Sequence, residues 1–377
     1  MTSGYQICTR CIMDTTVSDI VFDNDGVCNI CTQFLKRIEQ ELHYHDAGQV
    51  LLQALISKIK KTGSCNEYDC LIGVSGGVDS TYVAYLLKRK FNLRPLAVHL
   101  DNGWNSELAV ANIEQTIKKL DIDLFTYVLD WEEFKNLQTS FLKSSISNAE
   151  IPTDHAIWAV LIRMAAGRGI KYIISGSNIA TECLMPESWL YGSKDSRIIK
   201  DIHRKYGTVK LNTFPSLNTF DFCNYLMIKG IKWVPILNYV PYNKKQAKHV
   251  LCRELGWRDY GGKHYESVYT RFFHAYYLPK KFNIDLRRAY ISALVVSGQI
   301  SRDEALSEIE EPPYPSKLME EEDKAFVMKK LCLSREEFNQ IMNSPPKRYT
   351  DYANVDKLWK RFRVIVNFAR DRVIGER

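Results

Sequence analysis

Residues 69–87 read DCLIGVSGGVDSTYVAYLL. Asp69 to Val74 is a short, mostly apolar run of the kind that fills a buried parallel strand. Tyr82, Val83, Leu86 and Leu87 then recur at helical spacing. Between them lies Ser75-Gly76-Gly77-Val78-Asp79-Ser80. Strand, glycine-rich turn and helix together present backbone N–H groups and a helix N-terminus to an anion. The glycines reach dihedrals closed to other residues and let ligand oxygens approach the backbone. No lysine stands in the turn, so it is not the G-x-x-x-x-G-K-[ST] loop.

Outward from this stretch the pattern alternates. It predicts strand 69–74, helix 79–90, strand 95–100, helix 106–120, strand 124–128, helix 155–168 and strand 171–175. Such alternation predicts an α/β fold, a parallel sheet with helices on both faces. Ligands then bind beyond the carboxyl ends of the strands. SGGVDS, Asp101-Asn102-Gly103-Trp104 and Gly176-Ser177-Asn178-Ile179-Ala180-Thr181-Glu182 all fall there. Upstream, Thr32 to Lys61 reads as helical from the spacing of Phe34, Leu35, Ile38 and Leu42, then of Leu51, Leu52, Leu55, Ile56 and Ile59.

Of ten cysteines, four form C-x2-C-x16-C-x2-C: Cys8, Cys11, Cys28 and Cys31. Two such knuckles aim four thiolates at one ion, the pattern of a closed, structural zinc site. An iron–sulfur cluster is the alternative for the same ligands. Cys65, Cys70, Cys183, Cys223, Cys252 and Cys332 show no pairing and read as small apolar residues. Cys183 stands out for its place beside Glu182.

The chain has 377 residues, is 45% hydrophobic and 25% charged, and carries a formal charge of +7. That charge favours anionic ligands without requiring nucleic acid. Lys194, Arg197, Lys200, Arg204, Lys205 and Lys210 form one basic run, residues 347–377 another, while 302–323 is acidic. The bland reading of each is a solvated face. No run of 18 apolar residues suggests a membrane span. The N-terminus shows no signal-peptide pattern, so a cytoplasmic enzyme is expected.

SGGVDS resembles the PP-loop of the ATP-pyrophosphatase superfamily, the adenine nucleotide α-hydrolase-like or HUP-like folds. The superfamily includes GMP synthetase, NAD synthetase, argininosuccinate synthetase and tRNA-modifying enzymes. The resemblance implies that Ser75, Gly76, Gly77, Val78, Asp79 and Ser80 hold the phosphates of ATP. Asp79 and Ser80 would act in catalysis, and Asp79 would also bind magnesium. It places His99 and Asp101, at the end of the second strand, beside the adenosine. G-x-N-x-x-x-E at 176–182 is similar to an element of NAD synthetase, implying nucleotide contacts from Gly176 and Asn178 and a magnesium contact from Glu182.

A narrower resemblance covers nearly the whole chain. CTRCIMDTT at 8–16 with CNIC at 28–31, GVSGGVDSTY, VHLDNGW, GSNIATE, YGGKHYES at 260–267 and RRAYISALVVSGQISRDEAL at 287–306 are similar to the N-acetyl sugar amidotransferases of surface-polysaccharide biosynthesis, the WbpG and PseA type. These convert an acetamido group of a nucleotide-linked sugar, such as a UDP-diacetamido uronic acid, to an acetamidino group for O-antigen or other surface glycans. The implied activity is that of a carbon–nitrogen ligase. ATP activates the amide oxygen as an O-adenylyl imidate, ammonia displaces AMP, and pyrophosphate is released. Lys263 and His264 are the expected catalytic residues of YGGKHYES. Glu266 is expected at the sugar nucleotide, with Arg197, Lys200 and Arg204 as a basic wall. No residue is assigned as the base for ammonia.

No glutaminase signature is present, so the resemblance implies separate partners, similar to the glutaminase and cyclase-like subunits of histidine biosynthesis. Nucleic acid is not expected as a partner. The competing reading is a tRNA-modifying thiolase. Many such enzymes carry SGGKDS and a second set of cysteines, where this chain has Val78 and isolated cysteines. A non-catalytic scaffold is opposed by the intact loop. The expected organisation is a zinc-ribbon module at 1–35, a helical connector at 36–66, the PP-loop domain at 67–245 and a mostly helical region at 246–377.

Overall fold

A computed structural model describes residues 4–182, 184–186, 188–189, 192–262 and 264–355. Two helices, α1 (Asn29–Glu41) and α2 (Asp46–Gly63), precede the sheet. The predicted helical stretch breaks between them, where His45 caps α2 by accepting from the Gly48 N–H at 3.2 Å. Then follow β1 (Cys70–Gly73), α3 (Val78–Tyr85, widening into a π-turn to Lys90), β2 (Pro95–Asp101), α4 (Glu107–Leu120) and β3 (Asp123–Val128). Next come α5 (Trp131–Ser144), α6 (Ile151–Gly167), β4 (Tyr172–Ser175), the single turn α7 (Ile179–Glu182), α8 (Ser196–Tyr206), α9 (Thr219–Cys223) and β5 (Lys232–Pro235). The C-terminal helices are α10 (Lys244–Leu255), α11 (Val268–Phe272), α12 (Leu278–Phe282), α13 (Arg287–Val296), α14 (Arg302–Glu310), α15 (Lys317–Lys330) and α16 (Arg335–Asn343).

The predicted strands and helices all form. Helix α6 begins at Ile151, earlier than expected, because Pro152 sits in its first turn, where a missing N–H costs nothing. Helix α5 and strand β5 were not anticipated. The strand is four residues long and ends in proline, which leaves little alternation to read.

All four strand pairings are parallel, in the order β3-β2-β1-β4-β5. The strand order reverses between β1 and β4, which opens a crevice at their carboxyl ends. One face of the sheet packs on α2, α3 and α10 through Ile72, Ile174, Leu87 and Leu251. The other packs on α6 through Leu71, Val98, Ile173 and Leu161. A third core joins the four cysteines and Phe34 to Ile179 of α7, to α5 and α8, and to α11, α12, α13, α15 and α16. The cysteine module is therefore seated behind the turn that carries Glu182. Among the described residues no helix is long and apolar enough to cross a membrane.

Candidate active site

Gly76 takes φ +80°, and a Cβ there would stand 2.8 Å from both the Ala109 carbonyl oxygen and the Tyr260 hydroxyl. Only glycine meets both conditions. The Gly76 carbonyl is pinned by two donors, Trp257 Nε1 at 2.8 Å and Tyr260 Oη at 2.7 Å. Ser75 and Ser80 brace the loop from within. Ser75 Oγ accepts from the Gly77 N–H at 3.3 Å and lies 3.2 Å from Ser80 Oγ. No side chain caps α3, whose N-cap is Gly77. The N–H groups of Gly76 and Val78 make no hydrogen bond among the described residues, so the loop and helix start offer donors to an anion.

Ser75, Gly77, Val78 and Ser80 of this loop line a cavity of about 240 Å³, together with Asp79, Gly176, Glu182, Lys244, Lys248, His264 and Glu266. Gly176 is required for closeness, because a Cβ would meet the Ser80 nitrogen at 2.9 Å. Asp79 accepts a hydrogen bond from Tyr242 and has Lys244 Nζ at 4.0 Å. Burial drives the Tyr242 hydroxyl far above its usual range, helped by the charge of Asp79 and its hydrogen bond and by the charge of Glu182. Tyr242 thus stays a proton donor that orients the carboxylate. Asp79 and Glu182 are hard oxygen donors on one phosphate-facing cavity. That set fits Mg²⁺, which is commonly held by one or two carboxylates together with substrate phosphates.

A second cavity, of about 320 Å³, lies over the carboxyl ends of β1, β2 and β4. Val98, Leu100, Ile157, Val160, Leu161, Ile174 and Trp233 make one part apolar, while Glu150, Thr153, Asp154, Thr270 and His274 make another polar. Ser75, Gly176, His264 and Glu266 line this cavity and the phosphate cavity alike. A third cavity, of about 710 Å³, runs from Lys244, Lys245 and Lys248 on α10 to Arg287 and Tyr290 on α13 and on to Pro312–Pro315. It shares Lys244, Lys248 and Gly262 with the first and His274 with the second. The segment 260–274 is thus the wall at which all three meet.

That wall is held by the turn after β2. Ser106 N donates to the Glu266 carbonyl at 2.9 Å, and Val268 N donates to the Trp104 carbonyl at 3.0 Å. Trp104 is buried and donates to Gln138 Oε1 at 2.6 Å. His264 takes φ +63°, uncommon outside glycine, and its Nδ1 lies 3.6 Å from Glu266 Oε1. Burial alone would raise the Glu266 carboxyl. The hydrogen bond and charge of His264, with the charge of Lys244, outweigh burial and hold it below its usual value.

Several expected contacts fall elsewhere. His99 lines the second cavity, but both ring nitrogens are engaged, Nδ1 with the Val74 carbonyl at 2.9 Å and Nε2 with Asn105 Nδ2 at 3.0 Å. Asp101 lines none of the three cavities. Its carboxylate accepts from the Gly103 N–H at 2.8 Å and so shapes the DNGW turn. Asn178 is buried and accepts from Thr181 N at 2.9 Å, as a cap of α7. Arg197, Lys200 and Arg204 lie on the exposed face of α8 and line none of these cavities. The helix buries Ile198, Ile199 and Ile202 instead, so its basic face turns to water, and Arg204 pairs with Asp201 at 2.5 Å. The basic wall is supplied by Lys244, Lys245 and Lys248. Lys263 and Cys183 lie outside the described residues. Lys244, Glu150, Asp154 and His274 were missed in the sequence. The run NKKQAK at 243–248, with lysines in a helix's first turns, was the one legible signal.

The four cysteine sulfurs lie within 4.8 Å of one another. Cys8 and Cys31 Sγ are 4.0 Å apart, and Cys11 and Cys28 Sγ are 3.9 Å apart. Four thiolates at about 2.3 Å from one zinc would be about 3.8 Å apart. The set fits a tetrahedral zinc with no open position. Arg302 ties the first knuckle to α14 by donating to the Cys8 and Cys11 carbonyls, at 2.9 and 3.1 Å.

Comparison with known proteins agrees with this geometry. Residues 49–184 match the family model of NAD synthase. With the parallel sheet and the loop, that match defines a PP-loop ATP-pyrophosphatase fold with a cysteine module and a helical C-terminal region, and supports an ATP-dependent, synthetase-like enzyme. Residues 266–366 match the C-terminal domain of the LPS biosynthesis protein WbpG-like family, which narrows the resemblance to WbpG-like proteins. The chain is 24% identical over 326 residues to the uncharacterized protein MJ1599 of Methanocaldococcus jannaschii, covering 83% of this chain and 96% of that one. Among solved structures it is similar to a predicted subunit of a tRNA methyltransferase from Methanocaldococcus jannaschii (18% identity, 48% of this chain and 72% of that chain, TM-score 0.28). It is also similar to the NMN synthetase of Francisella tularensis (14% identity, 60% and 92%, TM-score 0.29).

Proposed function

We propose that this protein is an ATP-dependent amidotransferase that converts an acetamido group of a nucleotide-linked sugar into an acetamidino group, in the assembly of O-antigen or another surface glycan. The observation that carries the reading is the meeting of three cavities at one wall. The first offers phosphate donors and two carboxylates. The second is apolar enough for a base. The third is the largest and has a lysine-rich entrance suited to an anionic sugar nucleotide.

ATP would lie with its phosphates on Ser75–Ser80 and its adenine among Val98, Ile174 and Trp233. Asp79 and Glu182 would hold Mg²⁺, which when bound would supply positive charge opposite the phosphates. Tyr242 and Lys244 keep the Asp79 carboxylate oriented. The acetamido oxygen attacks the α-phosphate at the shared lining of Ser75, Gly176, His264 and Glu266. The amide thereby gains AMP as a leaving group, and ammonia replaces it. Lys244 and Lys248 serve both the phosphate and the acceptor cavities and so align the two reactants. Ammonia would be delivered by a separate glutaminase partner, because an imidate adenylate exposed to water hydrolyses.

The test is mass spectrometry of UDP-acetamido sugars incubated with the protein, ATP, Mg²⁺ and ammonium. Replacement of one oxygen by NH, with AMP and pyrophosphate formed, is expected. Pyrophosphate release stimulated by tRNA but by no sugar nucleotide would instead favour the tRNA-modifying reading.

A further inference from the structure

The polar part of the strand-end cavity holds two carboxylates, Glu150 at the N-cap of α6 and Asp154 in its first turn, and their surroundings differ. Glu150 is fully engaged: Thr270 Oγ1 donates to Oε1 at 2.6 Å and His274 Nε2 lies 3.3 Å from Oε2. His274 is in turn 3.4 Å from the Tyr290 hydroxyl through Nδ1. Burial would raise Glu150, but the hydrogen bond and charge of His274, with Thr270 and His264, keep it below its usual range and so anionic. Asp154 lines the same cavity, yet its carboxylate takes no hydrogen bond or ion pair from any described residue. Burial, then the charge of Glu150, push it up to about 8. Asp154 is partly exposed on the cavity wall, so a cation in the cavity can reach a carboxyl that no described residue engages.

We propose that Asp154, Glu150 and His274 form the site for the nitrogen nucleophile, in which an ammonium ion is held between the two carboxylates and gives up its proton to Asp154. The assignment rests on the amidotransferase reading. Glu150, locked by Thr270 and His274, is the fixed anion that attracts the cation. Asp154 is the member free to change protonation. The other ionisable groups facing this end are His264 and Glu266 of the wall, His99 of β2 and Tyr290 of α13. His264 and Glu266 also line the phosphate cavity, so ammonia released here is next to the carbon activated there.

The step balances. Of the four protons of ammonium, one passes to Asp154, one ends on the imidate nitrogen and two remain on the new amidinium nitrogen. The C–N bond forms from the ammonia lone pair, and the C–O bond to AMP breaks with its electrons leaving on the phosphate.

Asp154→Asn keeps the shape and removes the base, and Glu150→Gln removes the fixed anion. With a UDP-linked diacetamido uronic acid as probe, Asp154→Asn should slow ammonium-dependent amidine formation far more than it slows ATP–pyrophosphate exchange. Ammonium-dependent amidine formation should fall by at least about two orders of magnitude, with the KM for ammonium raised in Glu150→Gln. A raised KM for ATP with an unchanged response to ammonium would overturn the proposal and give Asp154 to the nucleotide. If the unaltered protein shows no exchange with this probe, the amidotransferase reading fails, and the nitrogen site is judged by melting alone. Above the pH at which Asp154 ionises, ammonium chloride should raise the melting temperature beyond sodium chloride at equal ionic strength, and Asp154→Asn should abolish the difference. Equal melting in the two salts for the unaltered protein would overturn the site.

Discussion

The cysteine module and the phosphate loop are both built from tight turns that crowd backbone N–H groups together, and they point them in opposite directions. In the module the donors turn inward. Arg10, Cys11 and Cys28 N–H groups all approach Cys8 Sγ, at 3.2 to 3.5 Å, and Cys31 N approaches Cys28 Sγ at 3.3 Å. The four sulfurs are wholly buried and face one another. In the phosphate loop the carbonyl of Gly76 is held back by Trp257 and Tyr260, and the N–H of Val78, on the wall of a cavity, is left over. A turn that satisfies itself is structural. A turn whose carbonyls are restrained and whose donors are left over is a binding site.

If that contrast is right, damage to the module should cost the fold and damage to the loop should cost chemistry. The largest effect is expected from Cys8→Ser, whose sulfur collects three N–H groups. Structural zinc contributes about 10 kcal/mol or more in small zinc-binding peptides, so loss of a ligand should unfold the module. The Arg302 contacts to the Cys8 and Cys11 carbonyls should go with it. Elemental analysis should find one zinc per chain in the unaltered protein, and limited proteolysis should cut the variant near residues 8–31. One iron-containing cluster in place of zinc would keep the contrast and change the metal.

Asp79→Asn tests the other side. Removing one of the two carboxylates that would hold Mg²⁺ against the reacting phosphates costs about 3–4 kcal/mol in the transition state, or two to three orders of magnitude in rate. Melting should barely move, because the amide can still accept from Tyr242. A variant that melts much earlier would erase the distinction between the two turns.

Gly76→Ala stands between the two classes. A non-glycine residue at this φ costs about 1–3 kcal/mol, and the added Cβ meets the backbone oxygen of Ala109, which has no side-chain freedom to yield. Both stability and ATP affinity should fall, the first modestly. An alanine variant with unchanged ATP binding would show that the loop's conformation is not the one that binds phosphate.

The same contrast explains what was legible in the sequence. Local motifs could be read because their geometry depends on neighbours in the chain. The knuckles are C-x2-C, and the loop is six contiguous residues between a strand and a helix. The parallel sheet and the position of GSNIATE at a strand end followed from the alternation of elements, whereas the strand order and β5 did not. The site beyond the loop was not legible in the same way, because its residues meet only through the fold. Lys244 reaches Asp79 across 165 positions, and Glu150 meets His274 across 124. The basic run at 194–210 misled for a related reason. Charge in a sequence says nothing about which face of a helix the apolar residues will bury, and Ile198, Ile199 and Ile202 turned Arg197, Lys200 and Arg204 outward. DNGW stands at a strand end, where Trp104 fastens the wall through Val268 and Asn102 lines the strand-end cavity.

The smallest expected effect is the most exacting for the contrast, since it concerns a single restraining hydrogen bond. Tyr260→Phe removes one of the two donors on the Gly76 carbonyl and leaves the ring in place. Trp257 still satisfies that oxygen, so no buried acceptor is orphaned and the loss is about 1 kcal/mol, the net value of an ordinary hydrogen bond. That corresponds to roughly a fivefold weakening of ATP binding, read as a rise in the KM for ATP with little change in melting. Trp257→Phe should cost more, because it also opens space where a wholly buried indole had packed. The two donors share one acceptor, so their effects should not add. With both gone the carbonyl is free to rotate toward the cavity and displace a phosphate, and the double variant should lose more ATP affinity than the sum of the single changes. Strict additivity in that double-mutant cycle would mean that the carbonyl is held by the glycine backbone alone. The aromatic pair would then be packing against the loop without restraining it.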